Sequence, residues 1–566
     1  MRILGINHSH DAGAAIIEDG KIIAAVNEER LNRIKLYWGF PALSIKEVFN
    51  ISGIEPRSID YVAISNVTPG SGIGREYHDY NFRRKMMSYM AHFPFIFGTN
   101  AFATFYKNFY RLFRKKGSFV RLLKAQGIDA PVKFVEHHEG HAASAYYTSP
   151  FDADTLVVTT DGAGDGLCAT VSVIEPNYQM RRVASTPFFH SPASVYGYVT
   201  YNLGYTPNKD EGKLTGLAAH GKAEKTIDEF NKVEGVSGMQ YRVRMTPSWG
   251  YLAVRKLNSL MWHKRRDDIA AGLQKRSEQV AVELISNALK KHPRANIALA
   301  GGLFANVRIN QEVAKIRGVK KIFVHPHMGD GGQGVGSAYV LWKDLLLDQG
   351  KQPRPVFHDT MYFGPGFSDE QIEDSLKASN MKFRHVKEVE HEVAELVKKG
   401  KVVGRFNGKM EYGPRALGNR SIVASPTDKT INDWLNKKLK RTDFMPFAPS
   451  MMEEHAKDYF NNFDVGSYAA KFMTMTFDCT QLCAKNAPAI THIDNTARPQ
   501  TVNREQNPSY YKMLKIYNEI TGLPIFVNTS FNEHEQPIVC SPQDAIDSFK
   551  QGNIDVLAIG NCIVQN

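Results

Sequence analysis

The chain has 566 residues, 43% hydrophobic and 23% charged. That excludes a disordered tail protein and leaves room for two or three domains, each with its own core. Its net charge of +12 leaves nucleic acid, anionic small substrates and an acidic surface open as partners. No uncharged apolar run approaches the roughly 18 residues a membrane span needs.

The N-terminal apolar run reaches the polar Asn7 too soon for a secretion signal. Five scattered cysteines fit reduced thiols in a cytoplasmic protein. The one close pair, Cys479 and Cys483, reads as ordinary buried thiols. In chain order, Arg2 to Asn7, Ala14 to Glu18 and Lys21 to Val26 read as strands. The polar turn His8-Ser9-His10-Asp11-Ala12-Gly13 joins the first two, and Asp19-Gly20 is a type I′ hairpin signal. This opening resembles the actin-like ATPase superfamily, where such a turn faces a nucleotide phosphate. No Gly-x-Gly-x-x-Gly leads from the first strand into a helix, and no Walker A loop follows, so Rossmann and P-loop folds are excluded.

Residues 42–53 read as a short amphipathic helix and Tyr61 to Ser65 as a buried strand. From Phe82 to Lys124 the chain carries ten basic residues and no acidic one. Phe102, Phe105, Tyr106, Phe109, Tyr110 and Phe113 recur there at helical spacing, which gives one apolar helix face and predicts an acceptor-side or partner-facing element. Val132 to Val135 is a strand running into a helix with His137 and His141. Positions i and i+4 share a helix face, so both imidazoles reach one metal ion. Asp161 and Asp330, each at a glycine-rich turn after a strand, are the candidate third and fourth ligands. Residues 266–291 form a long helix, and Asn296 to Ala300 a strand ending in Gly301-Gly302-Leu303-Phe304-Ala305-Asn306.

Breakers between Gln349 and Pro365 mark a domain boundary, giving domains 1–350 and 356–566. Beyond it lie the helices Asp369–Ser379 and Val389–Lys399 and the strand Val402–Phe406. The block Glu411-Tyr412-Gly413-Pro414-Arg415-Ala416-Leu417-Gly418-Asn419-Arg420-Ser421 follows. Its guanidinium forks match phosphate or carboxylate oxygens. Lys440-Arg441, Arg498 and Asn528-Thr529-Ser530-Phe531-Asn532 add to an anion-binding set.

These motifs, spread over nearly the whole length, resemble the O-carbamoyltransferases of antibiotic biosynthesis and nodulation-factor modification. The marks are Asn7-x-Ser-His-Asp-Ala-Gly, His-His-x-x-His-Ala-Ala-Ser-Ala, Asp161-Gly, Lys213 to Gly221, Gly301-Gly302-x-x-x-Asn306, Gly329-Asp330, the Glu411 block, Pro-Phe-Ala-Pro and Asn-Thr-Ser-Phe-Asn. The resemblance implies an α/β protein. Its N-terminal domain would be actin-like (ASKHA), with two lobes, and related to tRNA threonylcarbamoyl-transferring proteins. Its C-terminal domain would be YrdC-like and bind carbamoyl phosphate.

The implied chemistry has two stages. Carbamoyl phosphate and ATP, with Mg²⁺, give carbamoyl adenylate in the C-terminal domain through Arg415, Arg420, Lys440, Arg441, Arg498, Asn528 and Ser530. A small-molecule hydroxyl, of a secondary metabolite or sugar, then takes the carbamoyl group in the N-terminal domain. An internal route that excludes water is expected, because the adenylate hydrolyses easily. His10 matches the family's catalytic base, with His8 as competitor, since an imidazole titrating near pH 6.5 suits proton removal from an alcohol. The metal implied is Fe²⁺, although a His₂Asp₂ set also accepts zinc or manganese. Lys35, Gly162, Gly166, Gly302, Asn306 and Gly334 are expected around the adenylate, and Asp11, Glu211 and Lys213 on the acceptor side. A homodimer is the expected assembly, with no nucleic-acid partner. A small-molecule kinase and a tRNA-modifying transferase are the alternatives. The kinase leaves the Gly-Pro-Arg-Ala-Leu-Gly-Asn-Arg block unexplained.

Overall fold

The computed structural model describes residues 1–68, 82–112, 116–438, 447–533, 535–552 and 554–565. The chain divides into two compact units. The first comprises Met1–Ile23, Trp38–Pro41 and Ile54–His358, and the second Ala24–Tyr37, Ala42–Gly53 and Asp359–Asn566. A boundary near residue 350 assigns everything before it to the first domain. The structure instead places residues 24–37 and 42–53 in the second unit. Backbone capture explains the difference: Arg30 donates to the Gly413 carbonyl (2.9 Å), and Arg33 to those of Ile538 (2.7 Å) and Pro537 (2.8 Å).

Two five-stranded sheets build the first unit, except that residues 24–27 of β3 are counted with the second. One has the order β3-β2-β1-β4-β5, built from β1 (Arg2–Asn7), β2 (Gly13–Glu18), β3 (Lys21–Asn27), β4 (Tyr61–Ser65) and β5 (Val132–Val135). The other has the order β12-β11-β6-β7-β8. Its strands are β6 (Thr155–Gly164), β7 (Leu167–Ile174), β8 (Met180–Pro187), β11 (Asn296–Ala300) and β12 (Lys321–Val324), with a separate pair β9 (Glu234–Ser237) and β10 (Gln240–Val243). In each sheet the first strand runs antiparallel to the second and parallel to the fourth, and the fourth parallel to the fifth. Two copies of one strand order make this an actin-like α/β fold. The central strands read as unbroken apolar runs, such as Val62-Ala63-Ile64 and Leu156-Val157-Val158, and these residues are fully buried. Helices on both faces of a sheet require that pattern.

Two helices cross between the sheets. His137–Tyr147 follows β5 but packs on β6 and β11, and Gln333–Asp348 follows β12 but packs on β1, β2 and β4. Glycines set both contacts. A Cβ on Gly5 of β1 would lie 1.9 Å from the Gly334 carbonyl oxygen, and one on Gly336 would lie 2.1 Å from that of Gly140. Backbones can approach this closely only where the side chain is a hydrogen. A second core, around Tyr196, Val199, Leu214, Phe230, Leu257 and Leu273, supports the helices between β8 and β11.

The second unit is a mixed eight-stranded sheet in the order β13-β22-β21-β14-β15-β20-β16-β19. Its strands are β13 (Phe383–His385), β14 (Val403–Phe406), β15 (Arg420–Ala424), β16 (Ala448–Met452), β19 (Gln500–Val502), β20 (Ile525–Ser530), β21 (Val556–Ile559) and β22 (Cys562–Gln565); β17 (Phe477–Asp478) and β18 (Thr496–Ala497) pair separately. Helices Val389–Lys398 and Pro508–Thr521 close one core with Val393, Val397, Tyr510, Met513 and Leu514.

Candidate functional site

The first unit brings His137, His141, Asp161 and Asp330 together, with one donor atom of each within 4.8 Å of all the others. His137 Nε2 lies 3.0 Å from Asp161 Oδ2 and 3.5 Å from Asp330 Oδ1. His141 Nε2 lies 3.6 and 3.5 Å from the same two oxygens and 3.1 Å from His137 Nε2. Both imidazoles are buried. Asp330 Oδ1 is buried and accepts no hydrogen bond among the described residues. Converging nitrogens and a carboxylate oxygen without a donor fit a cation, and an N₂O₂ set suits first-row divalent metals.

The surroundings fix these side chains. Asn66 sits in the left-handed region (φ 67°), which Asn tolerates better than most residues. Its amide nitrogen donates to Ser9 Oγ (3.1 Å), so its carbonyl oxygen faces His137 Nδ1 at 2.7 Å. That oxygen accepts a hydrogen bond from Nδ1–H, which leaves the Nε2 lone pair facing the cluster. A Cβ on Gly164 would fall 2.1 Å from the His137 ring, so only glycine leaves the imidazole its place. Asp165 accepts from the backbone N–H groups of Val67, Thr68 and His137 at 3.0, 2.8 and 2.9 Å, clamping the start of the histidine helix. Glu136 caps that helix by accepting from Glu139 N (2.9 Å) and pairs with Arg182 (2.6 Å). Gln333 donates to the His137 carbonyl at 2.9 Å.

Electrostatics in the cluster follow from burial and proximity. Burial pulls the His137 imidazole down, but Asp330 and Asp161 outweigh it and push it up to about 9. Burial alone would raise Asp161, yet bonds from His137 and His141 hold it well below the usual carboxylate range. Neighbouring His138 is driven down to about 3 by burial and by His137, and its Nδ1 pairs with Thr159 Oγ1 (2.8 Å). It is therefore a neutral scaffold residue.

The turn carrying His10 is locked to the Asp330 turn by one amide. Asn7 Nδ2 donates to the carbonyls of His10 (2.8 Å), Asp11 (3.2 Å) and Asp330 (2.9 Å). His10 is partly exposed in this turn, and Asp11 Oδ2 lies 3.8 Å from His327 Nε2. Gly302, exposed, donates its N–H to Asp161 Oδ1 (3.0 Å), and Gly162 has open space where a Cβ would go.

Other expected positions take scaffold roles. Gly166, at φ 92°, is closed off by the Ala103 backbone, and Gly334 is the helix-to-strand contact already described. Asn306 caps the helix Val307–Ala314 and exchanges amide bonds with Gln274 (2.7 and 3.2 Å). Lys35 is exposed and belongs to the second unit, not to the one that holds the histidines. In the helix Glu211–Ala218, burial pushes Glu211 up to about 7, and Lys213 pairs with Asp210 (3.1 Å).

In the second unit a loop is folded around Glu411, whose Oε1 accepts the N–H groups of Leu417, Asn419 and Arg420 at 2.8, 2.8 and 3.1 Å. Arg420 is fully buried; it stacks 3.7 Å above the Phe406 ring and donates to the carbonyls of Asn407, Asn419, Gly408 and Pro365. Its guanidinium is thus used on the backbone and holds the loop, where the sequence reading expects an anion ligand. Asn528 is similarly buried, with its amide donating to Ser450, Gln500 and Ala416. Arg415 differs. Its Nε is buried and makes no hydrogen bond among the described residues, and burial pushes the guanidinium down to about 10. Ser530 ends β20 and Arg498 lies between β18 and β19, both partly exposed. Lys440 and Arg441 lie outside the described residues.

Sequence reasoning misses Asn66, Asp165 and Glu411. The second carboxylate in Asp161-Gly-Ala-Gly-Asp165 was the available signal for one of them, but Asn66 has no motif around it.

The chain matches a carbamoyltransferase N-terminus family model over residues 2–339 and a carbamoyltransferase C-terminus model over 394–566. The uncharacterized protein sll1178 of Synechocystis sp. is 32% identical over 99% of this chain and 96% of its own length. Nodulation protein NolNO of Sinorhizobium fredii is 30% identical over 98% of this chain and 79% of its own. Nodulation protein U of Bradyrhizobium diazoefficiens is 25% identical over 94% and 92%. Solved structures align only loosely, as with HypF of T. kodakarensis (14% identity, 62% of this chain, 49% of that one, TM-score 0.36), so the fold assignment rests on the strand orders above. With the N-terminal model ending on the helix after Asp330 and the C-terminal one spanning the Glu411 loop, the chain belongs to the carbamoyltransferase family and its chemistry is carbamoyl transfer.

Proposed function

We propose that the protein is an ATP-dependent O-carbamoyltransferase. Carbamoyl phosphate, ATP and water give carbamoyl adenylate, phosphate and pyrophosphate at the second unit. An acceptor hydroxyl then attacks the carbamoyl carbon at the first unit; the new C–O bond forms, the bond to AMP breaks, and His10 takes the hydroxyl proton. The observation that carries this reading is the convergence of the buried His137 and His141 with the half-buried Asp161 and Asp330; Oδ1 of Asp330 has no hydrogen-bond donor among the described residues. A divalent metal held there, Fe²⁺ by the family's example, would neutralise phosphate charge. Exposed Gly302 and open Gly162 beside Asp161 leave room for the adenylate.

Arg415 is the residue suited to carbamoyl phosphate. The Arg415 side chain is half-buried, and its shielded Nε makes no hydrogen bond among the described residues, so a guanidinium donor is left for an anionic oxygen. Lys440, Arg441, Arg498 and Ser530 would complete that pocket. The acceptor is a small hydroxyl compound, the protein works in the cytoplasm, and Mg²⁺ accompanies ATP.

Carbamoyl-phosphate-dependent release of pyrophosphate from ATP tests the reading. Arg415→Ala should abolish it while leaving the unfolding midpoint near wild type. Arg420→Ala should lower the midpoint, because four hydrogen bonds to backbone carbonyls and the stack on Phe406 are lost. ATP turnover that ignores carbamoyl phosphate but phosphorylates an alcohol would replace this reading with a kinase.

A further inference from the structure

The crossover from β4 to β5 contains the helices Phe82–Met90, Pro94–Phe97, Asn100–Leu112 and Lys116–Ala125, whereas the matching crossover from β11 to β12 has only Val307–Ala314 as an α-helix. The helix Asn100–Leu112 lies on β8. Its inner face buries Ala103 and sets Phe102 and Tyr106 6.3 and 5.8 Å from the rings of Phe189 and Phe188. So part of the aromatic pattern is core, as aromatic stripes usually are.

The remainder is not. Phe105, Phe109 and Leu112 are 62%, 43% and 82% exposed, and spacings of four and three place them on one helix face. On the preceding short helix Phe95 is 73% exposed. Ring contacts run from Phe97 to Phe102 (5.1 Å), on to Phe105 (6.3 Å) and to Phe109 (5.9 Å), so these apolar groups form a continuous strip rather than isolated surface residues.

Charge narrows what covers the strip. The segment Phe82 to Lys124 has ten basic residues and no acidic one, and Arg111 and Arg121 are exposed. A second copy of this chain would bring the same sign of charge to the contact. A nucleic acid would satisfy the charge but leave Leu112 and Ile96 without apolar cover. An anionic bilayer satisfies both, with aromatic and aliphatic tips in the headgroup–acyl boundary and guanidiniums at the lipid phosphates. No helix among the described residues is long and apolar enough to cross a membrane, so the contact is peripheral. We propose that this face docks the enzyme onto the surface of an anionic lipid bilayer.

Co-sedimentation of the full chain with vesicles tests this. Phosphatidylcholine vesicles containing phosphatidylglycerol should retain the protein, and pure phosphatidylcholine should retain it about tenfold less. Phe105→Ser with Phe109→Ser, and separately Arg111→Glu with Arg121→Glu, should each weaken retention roughly tenfold or more while the thermal midpoint and pyrophosphate release stay at wild type. These substitutions touch neither the metal set nor Arg415, so failure of the docking idea is distinguishable from failure of the carbamoyl-transfer reading. Wild-type protein left in the supernatant, or variants retained like wild type, overturns the proposal. So does preferential binding of an RNA duplex that only the arginine changes abolish, or a dimer that the phenylalanine changes split without any vesicle binding.

Discussion

Strands β1 and β6 open sheets of the same order, yet the turns after them carry different chemistry. The β1–β2 turn presents His8, His10 and Asp11, held by the Asn7 amide, while the end of β6 presents Asp161. Beyond the fifth strand the contrast repeats. The chain after β5 enters the helix with His137 and His141, and the chain after β12 makes the turn with Asp330. The first lobe therefore supplies both nitrogen donors and the second both carboxylates. The duplicated scaffold brings like ends of two sheets together, and the crossing helices carry each lobe's ligands onto the other. The two halves differ in these turns and in the crossover segments between strands, where a change leaves strand packing intact.

That comparison is most easily broken at the contacts between lobes. The largest effect is expected from Arg182→Ala on β8. Glu136 caps the first lobe's histidine helix; its burial raises its pKa, but Arg182 outweighs this and holds it down at about 2. Removing the arginine leaves a buried carboxylate unpaired, a loss of about 3–5 kcal/mol. A lowered folded-state pKa gives stability above the ordinary value of 4.5 that is lost as pH falls through about 2. The variant's acid unfolding should accordingly move to higher pH, which circular dichroism against pH reads.

Gly5→Ala comes next. The added methyl would meet the Gly334 carbonyl oxygen at 1.9 Å, backbone against backbone. Overpacking of that kind costs about 1–3 kcal/mol, and urea unfolding measures it. Gly162→Ala, with nothing near its Cβ, is the control that should change little.

Gly164→Ala sharpens the claim about the metal centre, since it keeps all four ligands and displaces only the His137 ring, 2.1 Å from the new methyl. Metal affinity should fall about 10–100-fold, as for changes around a ligand rather than in it; competition with a chelating dye reports this. Asn66→Ala should act in the same direction, because it removes the acceptor that holds the proton of His137 on Nδ1.

The smallest effect concerns Glu234 on β9, whose carboxyl oxygens are buried and make no hydrogen bond among the described residues, and whose pKa burial pushes up to about 8 against the nearby charge of Arg276. A raised pKa gives stability that is complete below the ordinary 4.5 and lost as pH rises through about 8. Glu234→Gln should therefore stabilise the fold more at pH 9 than at pH 5, by on the order of 1 kcal/mol or more, which urea unfolding at the two pH values reads.

Much of this was legible in the sequence where pattern and chemistry coincide. Strands β1, β4, β5 and β11 and the long helix Arg266–Lys291 fall within a residue of their apolar or amphipathic runs. Asp19-Gly20 adopts positive φ at both positions, as its turn signal requires. The four converging side chains are the His-x-x-x-His pair and the two Asp-Gly turns. What was not legible is how polar atoms are used. Arg415 and Arg420 sit in one motif and look alike in sequence, but one guanidinium is stacked and bonded to four carbonyls while the other has a bare Nε. Gly334 and Gly302 look equally like pocket glycines, yet one separates a helix from a strand and the other donates to Asp161. The transfer of residues 24–37 and 42–53 to the second unit depends on carbonyls hundreds of residues away, which no local pattern reveals.

The central claim, that both lobes jointly build a metal centre, is tested most directly by elemental analysis. The purified full chain should be compared with His141→Ala from the first lobe and Asp330→Ala from the second. The account predicts stoichiometric transition metal in the wild type and its loss in both variants, with the fold retained by circular dichroism. Full metal occupancy in either variant, or a wild type that binds no divalent metal on reconstitution, would contradict it.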